Sequence, residues 1–284
     1  MTYYTKMNAD LVIILSRDLP LITELSAAKL KQQPSIQLDT QKIQDMVLFS
    51  PNKLLLSIPD DKKVVLVDIE TLHVLSEIVL QDNPRYICMT SAHLAASTLV
   101  NKHIQFIKVN RTTLEADTTV NVDVDVMGIA GYRNNLVVSY DPPGVKIIAK
   151  DGALIYKLDN TTAGREVFKY PRRIVTTSDD SIYVTDWGTN EITRLDFSLT
   201  ILQTFSSSLL KVPLGIISLN RDQLLICSND NNNILLIRPS TNSMTVLLDK
   251  QHGVEKPRYI CFCKEQQKLY VAPAGKMILV YQLS

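Results

Sequence analysis

The pentapeptide PRYIC occurs twice, at residues 84–88 and again at residues 257–261, so the copies stand 173 residues apart. Between them lie PRRIV from Pro171 and PLGII from Pro213, and the successive gaps between the four prolines are 87, 42 and 44 residues. All are close to multiples of one period of about 43, the length of a repeat that cannot bury its apolar face alone and must stack on copies of itself. Two further segments fall into step without the proline, QDMVLF from Gln44 and VMGIAG from Val126. Six starts result, at 44, 84, 126, 171, 213 and 257.

Every start is followed by the same series. A second short apolar run comes next (KLLLSIP, HLAASTL, NLVVSYD, SIYVTDW, QLLICSN, KLYVAPA), then a polar turn and a third run (KVVLVDI, HIQFIKV, VKIIAKD, EITRLDF, NILLIRP, MILVYQL). A more polar fourth segment closes most units, as in VLSEIVL and MTVLLDK. Runs of five to seven residues rich in Val, Ile and Tyr read as strands rather than buried helix. Four antiparallel strands per repeat is the arithmetic of a propeller blade. Stacked blades cover their middle strands on both faces, which explains continuous apolar runs in place of clean alternation. A proline at the first strand position is tolerated because no ladder donor is needed there. The predicted fold is therefore an all-β, six-bladed β-propeller of four-stranded antiparallel blades over residues 34–284. The sixth unit supplies only three strands before Ser284, so PSIQLDT (34–40) is expected to add its outer strand and close the ring. Residues 1–33 lie outside the repeat. Tyr4, Met7, Leu11, Ile14, Leu21, Leu25 and Ala28 share a 3–4 spacing, predicting a short helical leader, packed on the propeller or acting as a coiled-coil remnant through which the chain self-associates.

Composition narrows the function. With 45% apolar and 21% charged residues, the chain is no disordered tail. Its 30 basic and 29 acidic residues leave a net charge of +1, which provides no global field for nucleic acid. No membrane span fits, the N-terminus lacks a signal-peptide layout, and Cys88, Cys227, Cys261 and Cys263 all sit inside apolar runs as expected of buried free thiols. The expected location is cytoplasmic. No nucleophile elbow, zinc-protease helix or phosphate-cradling loop occurs. The acidic run Asn121-Val-Asp123-Val-Asp125 lacks the glycine and glutamate of a calcium loop and reads as one exposed strand face. No cofactor or metal set is expected, and no catalytic constellation.

What remains is a surface. In a propeller the loops leading into the innermost strands, and those between second and third strands, meet around one mouth of the central channel. Arg85, Arg172 and Arg258 follow the opening proline in three repeats, with Tyr86, Arg173 and Tyr259 beside them; Asp60, Asp61, Lys62, Asp186, Trp187 and Asn231 occupy the other loops. Arg85, Tyr86, Arg172, Arg173, Trp187, Arg258, Tyr259, Asp60, Lys62 and Asn231 are the candidate ligand face, with the single tryptophan as anchor. The alternative is structural: each arginine pairs with an aspartate of a neighbouring blade.

The segment PRRIVTTSDDSIYVTDWGTNEITRLDFSLTILQTF (171–205) resembles an NHL repeat, and PLGIISLNRDQLLICSNDNNNILLI (213–237) is a weaker copy. The series is similar to the C-terminal propeller of tripartite-motif proteins, where it follows a RING finger, B-boxes and a coiled coil. Gly215 and Gly128 hold the glycine that family places after the strand start; Arg173 and Tyr86 replace it. The resemblance implies a protein-interaction module that recruits partners or ubiquitination substrates, with ligase chemistry in zinc modules that these residues do not contain. It also implies, as an alternative, single-stranded RNA bound on the same face. A third class, the calcium-dependent lactonase propellers, needs several carboxylates or amides where this sequence offers mainly arginine.

Overall fold

Pairing between strands of one repeat, followed by stacking of repeats, builds the molecule. The computed structural model describes residues 25–38, 42–161, 164, 166–273 and 275–284. The first strand, β1 (Leu30–Gln37), belongs to the last sheet. Blade 1 consists of β2 (Asp45–Ser50), β3 (Lys53–Ile58), β4 (Lys63–Asp68) and β5 (His73–Val79). Blade 2 follows with β6 (Pro84–Ser91), β7 (Leu94–Leu99), β8 (His103–Val109) and β9 (Leu114–Asn121), and blade 3 with β10 (Asp125–Tyr132), β11 (Asn135–Asp141), β12 (Gly144–Ala149) and β13 (Leu154–Asp159). Blade 4 is β14 (Pro171–Thr176), β15 (Ile182–Asp186), β16 (Glu191–Leu195) and β17 (Ile201–Ser206); blade 5 is β18 (Pro213–Asn220), β19 (Gln223–Ser228), β20 (Asn233–Arg238) and β21 (Ser243–Leu248). Blade 6 combines β22 (Pro257–Cys263), β23 (Lys268–Pro273) and β24 (Met277–Leu283) with β1. All pairings are antiparallel. The fold is a six-bladed β-propeller.

The innermost strands β2, β6, β10, β14, β18 and β22 touch in a closed cycle around the axis. Apolar side chains fill six separate cores, one between each pair of adjacent blades: Leu54, Leu56 and Tyr270 between blades 1 and 6, for example, and Ile182, Val184 and Val137 between blades 3 and 4. Burial follows position in the blade. Every residue of β19 is buried, whereas the first four of β13 are exposed, because a second strand is covered on both faces and an outer strand by neither. Among the described residues no helix is long and apolar enough to cross a membrane.

The ring closes through β1 and β24, with Leu30 opposite Leu283 and Ile36 opposite Ile278. Beyond the ladder, Ser284 N–H donates to the Lys29 carbonyl at 2.8 Å. This strand starts at Leu30, four residues before the expected Pro34. Pro34 falls inside a bulge between Gln33 and Ile36, a place where an edge strand accommodates a residue that cannot donate. The boundary expected at residue 33 thus lies within β1. Of the helical leader expected over 1–33, residues 1–24 lie outside the described residues, and Ala27–Lys29 form a single 3-10 turn. Asp151-Gly152 is a dipeptide that suits a two-residue hairpin loop, but the turn here is longer by one. Ala149 and Ala153 close a three-residue loop with Gly152 at φ +91°, the arrangement of a type I turn followed by a left-handed residue. The acidic run around Asp123 is no single strand either: it crosses from β9 to β10, and Asp123 accepts from Lys146 Nζ at 2.6 Å.

The four thiols are free and buried between blades. Burial pushes Cys88 up to about 12 and raises the other three as well, so almost no thiolate exists near neutrality. Titration with an aromatic disulfide at pH 8 should therefore label none of the four in the native protein and all four in guanidinium chloride. Rapid native labelling of any one would contradict the closed inter-blade cores.

Candidate functional site

Strand register defines a ring of six equivalent positions facing the axis. Ile87, Ile129, Ile174, Ile216 and Ile260 pair with Ser97, Val138, Val184, Ile226 and Val271, and in blade 1 Met46 pairs with Leu56. The residue before each is the ring member: Asp45, Tyr86, Gly128, Arg173, Gly215 and Tyr259 in blades 1 to 6. The first repeat is thus out of step by one with a start at Gln44, which would put Met46 in the ring. Asp45 was hidden from the sequence reading by that offset; aligning the apolar run MVLF with the other inner strands, rather than Gln44 with the prolines, finds it.

Arg173 plugs the channel. Its guanidinium crosses the axis from blade 4 to blade 1 and donates to the Asp45 carboxylate, with Asp45 buried and the Arg173 side chain 13% exposed. The rings of Tyr86 and Tyr259, on the blades flanking Asp45, lie 4.5 and 5.0 Å from the guanidinium carbon, within cation–π range. The blades flanking Arg173 carry Gly128 and Gly215. Each tyrosine thus stands opposite a glycine, Tyr86 facing Gly215 and Tyr259 facing Gly128, and the long side chain fits between the glycines. Asp45 accepts two further bonds, from the Ile87 N–H at 2.9 Å and its neighbour Met46 N–H at 2.8 Å. Burial raises the Asp45 carboxyl above its usual range, opposed chiefly by Arg173. The same aspartate keeps Arg173 protonated.

The inter-blade seams beside the ring are stitched by hydroxyls. Ser139 Oγ donates to the Arg172 carbonyl at 2.8 Å and Thr185 Oγ1 to the Leu214 carbonyl at 3.1 Å, while Thr98 and Thr185 accept from the N–H of Tyr86 and Arg173 inside their own blades. These bonds satisfy backbone groups left free by bulges at the strand starts.

The plug divides the channel. On one side lies a cavity of about 290 Å³ walled largely by apolar residues of the inner strands, among them Ile129, Ile216 and Ile260. On the side where the inner strands begin, a second cavity of about 300 Å³ is lined by Tyr86, Arg172, Trp187, Leu214, Arg258 and Tyr259, with no carboxylate in its wall. Arg173 and Tyr259 face both. Next to the second cavity, a third of about 360 Å³ is lined by Arg85, Tyr86, Met127 and Arg172. The position just outside the ring holds Arg85, Arg172 and Arg258 in blades 2, 4 and 6, alternating with Gln44, Met127 and Leu214. None of these three arginines makes an ion pair among the described residues; Arg172 donates to Met127 Sδ at 3.1 Å. The Nε–H groups of Arg172 and Arg258 are shut off from solvent without an acceptor.

Trp187 stands at the edge of the mouth, 37% exposed, beside Tyr170, 50% exposed, with ring centroids 6.0 Å apart. The Arg172 guanidinium stacks over Trp187 at 4.1 Å. Asp186 is no rim residue. It is buried, and its carboxylate accepts from the N–H groups of Lys169 (2.7 Å), Tyr170 (3.0 Å) and Gly188 (2.8 Å), tying together the segment before β14, which carries Tyr170, and the β15–β16 turn, which carries Trp187. Asp60 and Lys62 are exposed at the 3-10 turn between β3 and β4; Pro59 of that turn lines the third cavity, and neither of these two does. Asn231 is likewise off the cavity, its amide donating to the Leu209 and Ser208 carbonyls at 2.9 and 3.1 Å. The ten sequence candidates thus separate: Tyr86, Arg172, Trp187, Arg258 and Tyr259 meet at the mouth, Arg85 adjoins them, Arg173 closes the floor, and Asp60, Lys62 and Asn231 stand apart. The structural pairing holds for Arg173 alone, and its aspartate comes from the opposite blade.

No protein-family model matches the chain, and no curated protein matches it. Solved structures do. A propeller domain of Myceliophteria thermophila Cps50 (Swd1) superposes with a TM-score of 0.64 at 11% identity, covering 90% of this chain and 100% of that one. A functionally unknown Desulfotomaculum acetoxidans protein gives 0.60 at 12% identity over 78% and 73% of the two chains. A Bacteroides caccae protein of unknown function gives 0.60 at 15% over 78% and 82%. At these identities the likeness concerns the fold alone.

Proposed function

We propose that this propeller is a protein-interaction module that captures a partner on the channel mouth. The observation that carries the reading is the convergence of two exposed aromatic rings, Trp187 and Tyr170, with the Arg172 guanidinium, on neighbouring segments tied together by the buried Asp186. Rigid aromatic and arginine anchors around a concave centre are the composition of an interface hot spot. The NHL-like pattern of residues 171–237 supports the narrower reading of a substrate-recognition propeller of tripartite-motif type, acting in the cytoplasm for a ubiquitin ligase. Single-stranded RNA on the same face is the alternative, supported by the unpaired arginines and weakened by the aspartates around the rim. The lactonase reading asks for several channel carboxylates, and the ring offers Asp45, already engaged by Arg173.

Peptides selected from a display library against the immobilised protein should be bound through the mouth. Their capture should fall at least tenfold on Trp187→Ala, a typical loss for a hot-spot aromatic. Selected peptides that bind Trp187→Ala and Tyr170→Ala as well as the parent would overturn the reading.

A further inference from the structure

The mouth cavities carry positive charge that no carboxylate among the described residues offsets. Arg85, Arg172 and Arg258 come from alternate blades, lack ion-pair partners among the described residues, and border two adjoining cavities that share Arg172. All three residues are part-exposed; the Nε–H of Arg172 and of Arg258 is closed to solvent, so the rest of each guanidinium holds the donors that an incoming oxyanion can meet. The floor contributes no net charge, because Arg173 is neutralised by Asp45. We propose that the mouth takes an acidic segment of a protein partner, one carboxylate seated between Arg172 and Arg258 and a second between Arg172 and Arg85. This rests on the interaction reading above and names the chemistry that the face selects.

Two observations favour a peptide over a nucleic-acid strand. The cavities are separate concavities of about 300 and 360 Å³, sized for individual side chains rather than a continuous groove. Outside them the loops on the same face mix Asp60, Asp61 and Asp82 with Lys62 and Lys102, and Asp230 is paired with Lys256 at 2.8 Å, so no unbroken positive track leads out from the centre for an extended phosphate backbone. Trp187 lines the second cavity, with Tyr170 edge-on against it, placed to take an apolar residue next to the acidic pair.

The test uses the full chain and three fluorescein-labelled probes: a Gly/Ser decapeptide with a central Leu-Glu-Glu-Leu, the same peptide with Gln-Gln, and decauridylate. The Glu-Glu peptide should bind, and the Gln-Gln peptide about tenfold more weakly or worse, since two charge-assisted contacts are lost. Arg258→Gln and Arg85→Gln should each weaken the Glu-Glu peptide by about fivefold to tenfold with melting temperature unchanged. The probe exchange leaves the protein untouched and so reads the effect even where a variant folds poorly. Equal binding of the Glu-Glu and Gln-Gln peptides, or parental affinity in both arginine variants, overturns the proposal. So does decauridylate binding tighter than the Glu-Glu peptide and lost in the same variants, which would make RNA the ligand. If the acidic peptide fails while display-selected peptides still depend on Trp187, the acid anchor is wrong and the interaction reading stands. If both fail, neither does.

Discussion

Arg173→Met should lower the unfolding free energy by about 3–5 kcal/mol, the range for removing one partner of a buried ion pair. The cost arises from what stays behind. Asp45 is 5% exposed and would keep its two backbone N–H donors but lose its only countercharge. Adding Asp45→Asn should restore a large part of the loss, since a neutral amide needs no countercharge and its oxygen can still accept from the Ile87 N–H. The single variant should also show a pH signature. Burial already raises the Asp45 carboxyl, and Arg173 opposes that shift; without the arginine the folded-state value climbs further above the unfolded one. A carboxyl raised on folding stabilises the protein at low pH and costs stability as pH rises through the folded value. The deficit of Arg173→Met relative to the parent should therefore shrink as pH falls from 7.5 to 5. Urea unfolding of the parent, the single variant and the double variant at both pH values would decide this, and a loss below about 1 kcal/mol with no pH trend would show that the channel is wet and the pair screened.

Gly128→Ala should be comparably severe. A Cβ at that position would lie 1.6 Å from the Arg172 carbonyl oxygen and 2.8 Å from Ser139 Oγ. The carbonyl is backbone in the next blade, so no rotamer change relieves the overlap, and blades 3 and 4 must part. The expected cost exceeds the ~1–3 kcal/mol usual for overpacking and corresponds to a melting drop of about 10 °C at ~2–4 °C per kcal/mol. Gly215→Ala provides a graded comparison. Its Cβ would meet the Arg258 carbonyl at 2.8 Å, a lesser overlap that a small shift relieves, so its melting temperature should fall by only a few degrees. Equal melting of Gly128→Ala and the parent would mean that the seam between blades 3 and 4 is looser than the structure shows.

The repeat made the fold legible because the same physical demand recurs six times: an apolar run buried on both faces, opened by a residue that need not donate. Even a degenerate unit such as the one beginning near Gln44 is found by its neighbours' spacing. Boundaries were less visible where a strand leaves the pattern, and β1 runs four residues further back because Leu30 finds Leu283. The site was half legible. Position alone assigned Arg172, Arg258 and Trp187 to one mouth, since strand starts and the loops between second and third strands must converge there. The pairing of Arg173 with Asp45 was out of reach, because the partners lie 128 residues apart and share no blade interface. Asp186 looked like a surface acid because a sequence shows a carboxylate but not the backbone N–H groups that surround it.

The ring of Asp45, Tyr86, Gly128, Arg173, Gly215 and Tyr259 has one more consequence. Six repeats built on one pattern would be interchangeable if every one offered the same residue to the axis, and such a chain could close with five members or seven. Here it cannot do so at equal cost. Only in an array of six does the fourth member stand diametrically opposite the first; with an odd number the Arg173 guanidinium would reach toward a seam instead of toward Asp45. The glycines beside the arginine and the tyrosines beside the aspartate fix the same count from either hand. Blade number in this protein is thus specified by chemistry at the axis, and duplicating or deleting a single repeat would strand a charge before it disturbed any strand.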